Sequence, residues 1–201
     1  VAEPTTRMKR AARRDQILQV AAEVFAAEGF AATNLDDVVA AAGVSRTILY
    51  RHFESKTDLY RGVLDRACER LAATVQGGPG RFTGDSIDGL LAAAAADPDG
   101  FRLLFRHAVN EPEFHDEMQR FRAGMTDVAH LQLADTIDDE AWARWAAHLA
   151  PVVAIEAVLA WLDTGQPEPE HAAAMIKHAV GGVTQGPRAT PGRPTGEDRA
   201  G

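Results

Sequence analysis

Ser45, Arg46, Thr47 and Tyr50 place four hydrogen-bonding side chains within six residues, on a stretch whose apolar positions Leu49 and Phe53 lie four apart. On a helix, that spacing puts the apolar pair on one side and Arg46, Thr47 and Tyr50 on another. A short helix with a small apolar anchor and a polar leading end suits the major groove of DNA. The preceding residues supply its partner. Leu35, Val38, Val39 and Ala42 recur at i, i+3, i+4 and i+7, which gives a first helix one face to bury. Gly43 ends that helix, because glycine enters a left-handed turn without a Cβ clash. Ser45 can then cap the second helix. Residues 34–53 therefore read as a helix-turn-helix.

Flanking elements must hold this unit. Upstream, Ile17, Leu18, Ala21, Val24 and Phe25 line one side of a long helix that stops at Glu28-Gly29-Phe30. Downstream, Ser55-Lys56-Thr57-Asp58 is a capping box opening a helix with Leu59, Val63, Ala67 and Leu71 inward. Ile17-Leu18, Val24-Phe25, Gly29-Phe30, Thr33, Ala42-Gly43-Val44-Ser45, Leu49-Tyr50-Arg51-His52-Phe53 and Ser55-Lys56 together form a specific signature. Over residues 13–72 the chain resembles the tetracycline-repressor (TetR) family of bacterial transcriptional regulators.

The resemblance implies roles for individual residues. Thr33, Tyr50, His52 and Lys56 stand where the family meets phosphates, and Ser45, Arg46, Thr47 and Tyr50 where it reads base edges. Arg46 is the foremost specificity candidate, since a guanidinium can bond guanine O6 and N7 together; a non-specific phosphate contact is the competing role. Two positions depart from the pattern. Thr47 replaces a frequent glycine or small residue, and Ile48 replaces a frequent threonine, so Ile48 either touches a thymine methyl or packs inside. The operator therefore cannot be transferred from a relative.

The net charge of −8 looks unsuited to a DNA-binding protein until it is divided. Residues 1–61 carry nine Lys/Arg against eight Asp/Glu, so the acidic excess belongs to residues 62–201. Arg7, Lys9, Arg10, Arg13 and Arg14 cluster near the N-terminus. Residues 1–12 are expected to form a basic, disordered arm, either tracking phosphates or simply solvated. One cysteine, Cys68, excludes an internal disulfide framework. The basic N-terminal residues lack an apolar core, so no signal peptide is expected. The longest apolar run, 149–162, contains Pro151 and Glu156 and reads as too short and too polar to span a bilayer. A cytoplasmic protein with no membrane partner is expected.

Past the fourth helix, Gly77-Gly78-Pro79-Gly80 breaks the chain and Asp85-Ser86 can cap a new helix. Asp97-Pro98-Asp99-Gly100 reads as a turn, followed by a helix over 101–110 and, after Glu111-Pro112, a longer one to about residue 134. Two apolar helices close the domain: one from Asp138-Asp139 to Gly165, and one after Pro167 carrying Ala172, Met175, Ile176, Ala179 and Val180. No β-type alternation occurs, so the expected fold is all-α. It comprises an N-terminal three-helix helix-turn-helix DNA-binding domain and a larger C-terminal helical domain over 77–184. Residues 185–201, rich in Gly and Pro, are expected to be a disordered tail.

By resemblance, the last two helices pair two copies into a homodimer that matches a palindromic double-stranded DNA operator, with half-sites about 34–36 Å apart. The middle helices take a small apolar or amphipathic ligand that shifts operator affinity by linkage. Phe101, Leu104, Phe105, Phe121, Met125, Trp142 and Trp145 can line its pocket, with His107, His148 or Glu156 as polar anchors, although such residues are also ordinary core. Glu156 is the strongest single lead, being a charge within an apolar run. A repressor released by inducer is the leading reading, with an activator or a corepressor-dependent repressor as alternatives.

Other function classes fare less well. Gly84-Asp85-Ser86 resembles a hydrolase nucleophile block but is better explained as a helix cap. His107, Glu111 and His115 fall at i, i+4 and i+8, yet Pro112 interrupts that face and a solvated surface suffices. No catalytic residue, metal site or cofactor is expected. A sequence-independent DNA-packaging protein is opposed by the acidic C-terminal part and by the chemistry of the recognition helix.

Overall fold

A computed structural model describes residues 4–75 and 84–185, with side chains from residue 10 to 75 and 85 to 185. The break at 77–80, residues 1–3 and the tail 186–201 lie outside the described residues. All regular structure among those described is helical.

Helix α1 (Pro4–Glu28) starts earlier than expected. Residues 4–12, read as an irregular arm, continue the helix, because Met, Lys, Arg and Ala are strong helix formers and Pro4 at its start loses no intrahelical bond. Its inner side, Ile17, Leu18, Ala21, Ala22 and Phe25, is fully buried. Gly29, at φ +81°, lets the chain leave the helix.

Helices α2 (Leu35–Ala42) and α3 (Arg46–Tyr50) follow, joined by Gly43 at φ +61°. Gly43 and Val44 donate back to Ala40 and Val39 carbonyls, satisfying the end of α2. Helix α4 (Lys56–Thr74) packs against α1. Val38, Leu49, Phe53, Leu59 and Val63 meet the inner face of α1 in one core.

That core does not stop at the end of α4. Phe25 and Tyr60 meet edge to face at 4.9 Å, and Phe114 from the second half reaches Tyr60 at 4.6 Å and Phe30 at 5.2 Å. Phe114 thus plugs the C-terminal half into the aromatic centre of the N-terminal one.

The second half comprises α5 (Gly84–Ala96), α6 (Pro98–Arg102), α7 (His115–Leu133), α8 (Glu140–Asp163) and α9 (Pro169–Thr184). The expected turn at 97–100 is instead the start of α6. Asp97 Oδ1 accepts from Gly100 N at 3.1 Å as its cap, and Pro98 occupies the first turn. The expected helix over 101–110 is broken into the end of α6, a π-helical turn Leu103–His107 and a 3₁₀ turn Ala108–Asn110.

Helix α8 is the central element, packed against α7, α9 and α5. It spans the expected helix between Asp138-Asp139 and Gly165, and by length and composition alone could cross a bilayer. Its inner face of Ala143, Ala147, Ala150, Ala154, Val158 and Leu162 is buried within the protein, which marks it as a core helix. Small residues there let neighbouring backbones approach closely.

Candidate nucleic-acid interface

Helix α3 is only a turn and a half long, so its stability comes from its ends and its anchor. Ser45 Oγ accepts from Ile48 N at 3.3 Å and caps it. Leu49 is completely buried, Ile48 packs against the core and Phe53 closes the far end. Ile48 therefore serves mainly as packing. What remains outward is Ser45, Arg46, Thr47 and Tyr50, the last 54% exposed although aromatic. An exposed Tyr stands there beside exposed hydroxyl and guanidinium groups, a surface rich in hydrogen-bond donors.

Arg46 does have a partner. Its Nε donates to Asp36 Oδ1 at 2.5 Å and its Nη2 donates to Asp36 Oδ2, bridging α3 to the first turn of α2. The carboxylate raises the guanidinium's pKa through this hydrogen bond and its charge. Sequence reasoning missed Asp36, since a contact ten residues apart across a turn has no periodic signal.

The basic cluster approaches the same surface. Burial of the His52 ring lowers its pKa, and Arg10, Arg14, Arg13 and Arg51 push it the same way. Arg14 also stands over the Phe53 ring at 5.0 Å. The helical continuation of α1 thus carries positive charge to the edge of α3.

Two expected phosphate contacts are placed differently. Thr33 is 0% exposed, and its hydroxyl donates to Gly29 O at 2.8 Å, closing the turn after α1. Lys56 Nζ donates to the carbonyls of Phe30 at 2.8 Å, Ala31 at 3.3 Å and Thr33 at 3.1 Å, and lies 4.5 Å from the centre of the Phe30 ring. An ammonium has three N–H donors and all are engaged. In this conformation both residues fasten α4 to the α1–α2 turn, and Lys56 offers DNA its charge without a free donor.

The expected ligand residues separate into two places. Phe101, Leu104 and Phe105 are buried around the π-helical turn; Phe105 meets Phe101 at 4.7 Å and Phe121 at 5.9 Å, with Met125 packed nearby. Trp142 and Trp145 stack on each other at 4.5 Å at the far end of α8. Trp142 lines a cleft of about 830 Å³ with Leu133, Ile137 and Thr184, while Trp145 is largely exposed. His148 and Glu156 are exposed, at positions of α8 opposite its alanine-rich inner face. His107 is half-buried beside the π turn. No grouping of His, Cys, Asp and Glu among the described residues could hold a metal. Burial and neighbouring carboxylates push the Cys68 thiol up to about 11, far from a reactive thiolate.

A capped, outward-facing α3 braced by α2 and flanked by basic residues is the geometry of major-groove recognition. The sequence model described as "Bacterial regulatory proteins, tetR family" matches residues 17–63. The HTH-type transcriptional activator FasR of Mycolicibacterium smegmatis is 32% identical over 192 residues, covering 90% of this chain and 87% of FasR. The chain belongs to the TetR family of transcriptional regulators.

The HTH-type transcriptional repressor KstR2 of the same species is 43% identical over 61 residues, 30% of either chain. Among solved structures, a TetR-like transcriptional regulator from Rhodococcus sp. RHA1 superposes with a TM-score of 0.73 at 23% identity, covering 88% of this chain and 98% of that one. FadR from Bacillus subtilis, solved in complex with stearoyl-CoA, has a TM-score of 0.63 at 16% identity, covering 86% and 98%. The fold therefore extends through the second half. TetR-family proteins are regulators that bind DNA operators as dimers, and they are not enzymes.

Proposed function

We propose that this TetR-family protein is a homodimeric, ligand-responsive repressor acting in the cytoplasm on a palindromic operator. The observation that carries the reading is the outward face of α3. Ser45, Arg46, Thr47 and Tyr50 are exposed on a helix whose other side is locked into the core. Arg46 and Thr47 would meet base edges, Tyr50 both bases and backbone, and His52 with Arg10, Arg13 and Arg14 the phosphates. Residues 13–72 form the DNA-binding domain, and α5–α9 the ligand-binding and dimerisation domain.

Dimerisation through α8 and α9 is supported by apolar side chains left in water. Trp145 and Val152 on α8 and Met175 on α9 are 46%, 54% and 56% exposed. Large apolar residues left exposed on two helices that pack together mark an interaction face.

The ligand we infer is an amphipathic acyl compound of the acyl-CoA class. Its apolar part would enter among Phe101, Phe105, Phe121 and Met125. Support comes from the π-helical turn at their centre, since such turns concentrate at functional sites. FadR with stearoyl-CoA and AibR with isovaleryl coenzyme A share the fold.

Activation is the second reading, favoured by one observation: FasR, which aligns across the ligand-binding half as well, is named an activator. Transcript levels on either side of the bound site, with and without the protein, decide the sign. The DNA-binding reading is tested by paired substitutions. Tyr50→Ala should weaken binding to all DNA, whereas Arg46→Ala should mainly relax base preference. Unchanged operator binding in both would overturn α3 as the recognition helix.

A further inference from the structure

Arg46 can bond outward in two ways, and the structure distinguishes them. A guanidinium is a flat plate with a side edge, formed by Nε and Nη2, and an outer fork, formed by Nη1 and Nη2. Asp36 holds the side edge through both carboxylate oxygens. No partner of Nη1 occurs among the described residues, so the outer fork remains open on a side chain that is 67% exposed. A bidentate grip fixes the plane of the plate as well as its position.

We propose that Asp36 is a specificity-determining positioning residue: by gripping the side edge of Arg46, it presents the outer fork to guanine O6 and N7 in the major groove. The inference rests on Arg46 reading a base. Three physical points support it beyond the contact itself. Asp36 sits in the first turn of α2, whose other face is anchored by the buried Val38 and Ala42, so the carboxylate is fixed relative to the core. Arg46 begins α3, so without Asp36 its long, rotamer-rich stem is tethered at one end only.

The third point concerns charge. A carboxylate on the DNA-facing side repels phosphates and so opposes affinity in general. It also makes the nearest backbone oxygens a poor destination for the Arg46 plate, leaving the base edge as the favourable one. Exclusion of water when DNA docks then strengthens the Asp36–Arg46 pair, which in the free protein is solvated and weak. Asp36 therefore exchanges affinity for selectivity, and its removal should have opposite effects on the two.

The test is selection from a random double-stranded DNA pool by the full chain, comparing wild type, Arg46→Ala, Asp36→Asn and the double variant. Base preference is read at every position, total retention of the pool is measured, and thermal melts confirm that each variant is folded. Arg46→Ala should flatten preference at one position of each half-site by roughly 10- to 100-fold. Asp36→Asn should flatten the same position by most of that factor while total retention stays equal or rises, and the double variant should match Arg46→Ala. If Asp36→Asn keeps the preference while Arg46→Ala loses it, Asp36 is only a repulsive charge and the inference falls alone. If Arg46→Ala keeps every preference, the base-reading role of Arg46 falls, and the inference with it.

Discussion

Arg66 Nη1 donates to Asp97 Oδ2 at 2.9 Å, joining two side chains that are 6% and 11% exposed. The same guanidinium donates through Nε to Asp15 Oδ1 at 2.7 Å, and Arg70 donates to the same Asp97 oxygen at 3.1 Å. One guanidinium thus ties α4 to α1, and one carboxylate ties α4 to the start of α6. Gly100 makes the arrangement possible, because a Cβ there would lie 2.7 Å from the Asp97 carboxyl atoms.

Asp97→Ala should therefore be costly. It removes the α6 cap and leaves Arg66 buried with Asp15 as its remaining partner, an expected loss of about 3–5 kcal/mol. Urea unfolding checks this. A loss under about 1 kcal/mol would show that the cluster is not the joint between the halves.

Lys56→Met should act on stability more than on DNA contacts. Removing a charged donor from three carbonyls is expected to cost about 1–3 kcal/mol. The salt dependence of DNA binding should change little, whereas loss of a true phosphate contact would lower its slope by about 1. Unfolding curves and a salt titration separate the two outcomes.

His52 gives a pH signature. Burial and then the flanking arginines hold its pKa below the usual 6.5 in the free protein. For a base depressed in this way, the neutral form is favoured in the fold. His52 thus imposes no penalty on stability above the unfolded pKa, and stability falls as pH drops from there toward the folded pKa. DNA phosphates favour the imidazolium, so binding should take up a proton and operator affinity should rise as pH falls toward the lowered His52 pKa of the free protein. His52→Gln should remove that dependence. A wild-type affinity flat with pH would mean that His52 does not approach the phosphates.

A charge on the exposed apolar face should separate the protomers. Val152→Glu places a carboxylate on the exposed side of α8, seven residues from Trp145, and sedimentation should then show monomers with weakened operator binding. An intact dimer would place the interface elsewhere.

Legibility from sequence followed the range of each interaction. The caps at Ser45 and Ser55, the left-handed Gly43 and the buried Leu49 depend on neighbours within four residues, and the structure contains each of them. Long-range polar contacts left no such trace: Lys56 meets Phe30 across 26 positions and Arg66 meets Asp15 across 51. Glu156, an acidic residue in an apolar run, takes an exposed position on α8, whose buried face is carried largely by alanines. The π turn was also unreadable, because i→i+5 bonding has no signature in local propensity or apolar spacing.

The central claim is sequence-specific DNA recognition by α3 in a dimer. Its most direct test is selection of bound fragments from the source genome by the purified protein at physiological salt, with Arg46→Ala/Tyr50→Ala as control. Recovery of a few palindromic sites that disappear in the control is expected. Uniform recovery of the genome by both proteins would contradict it.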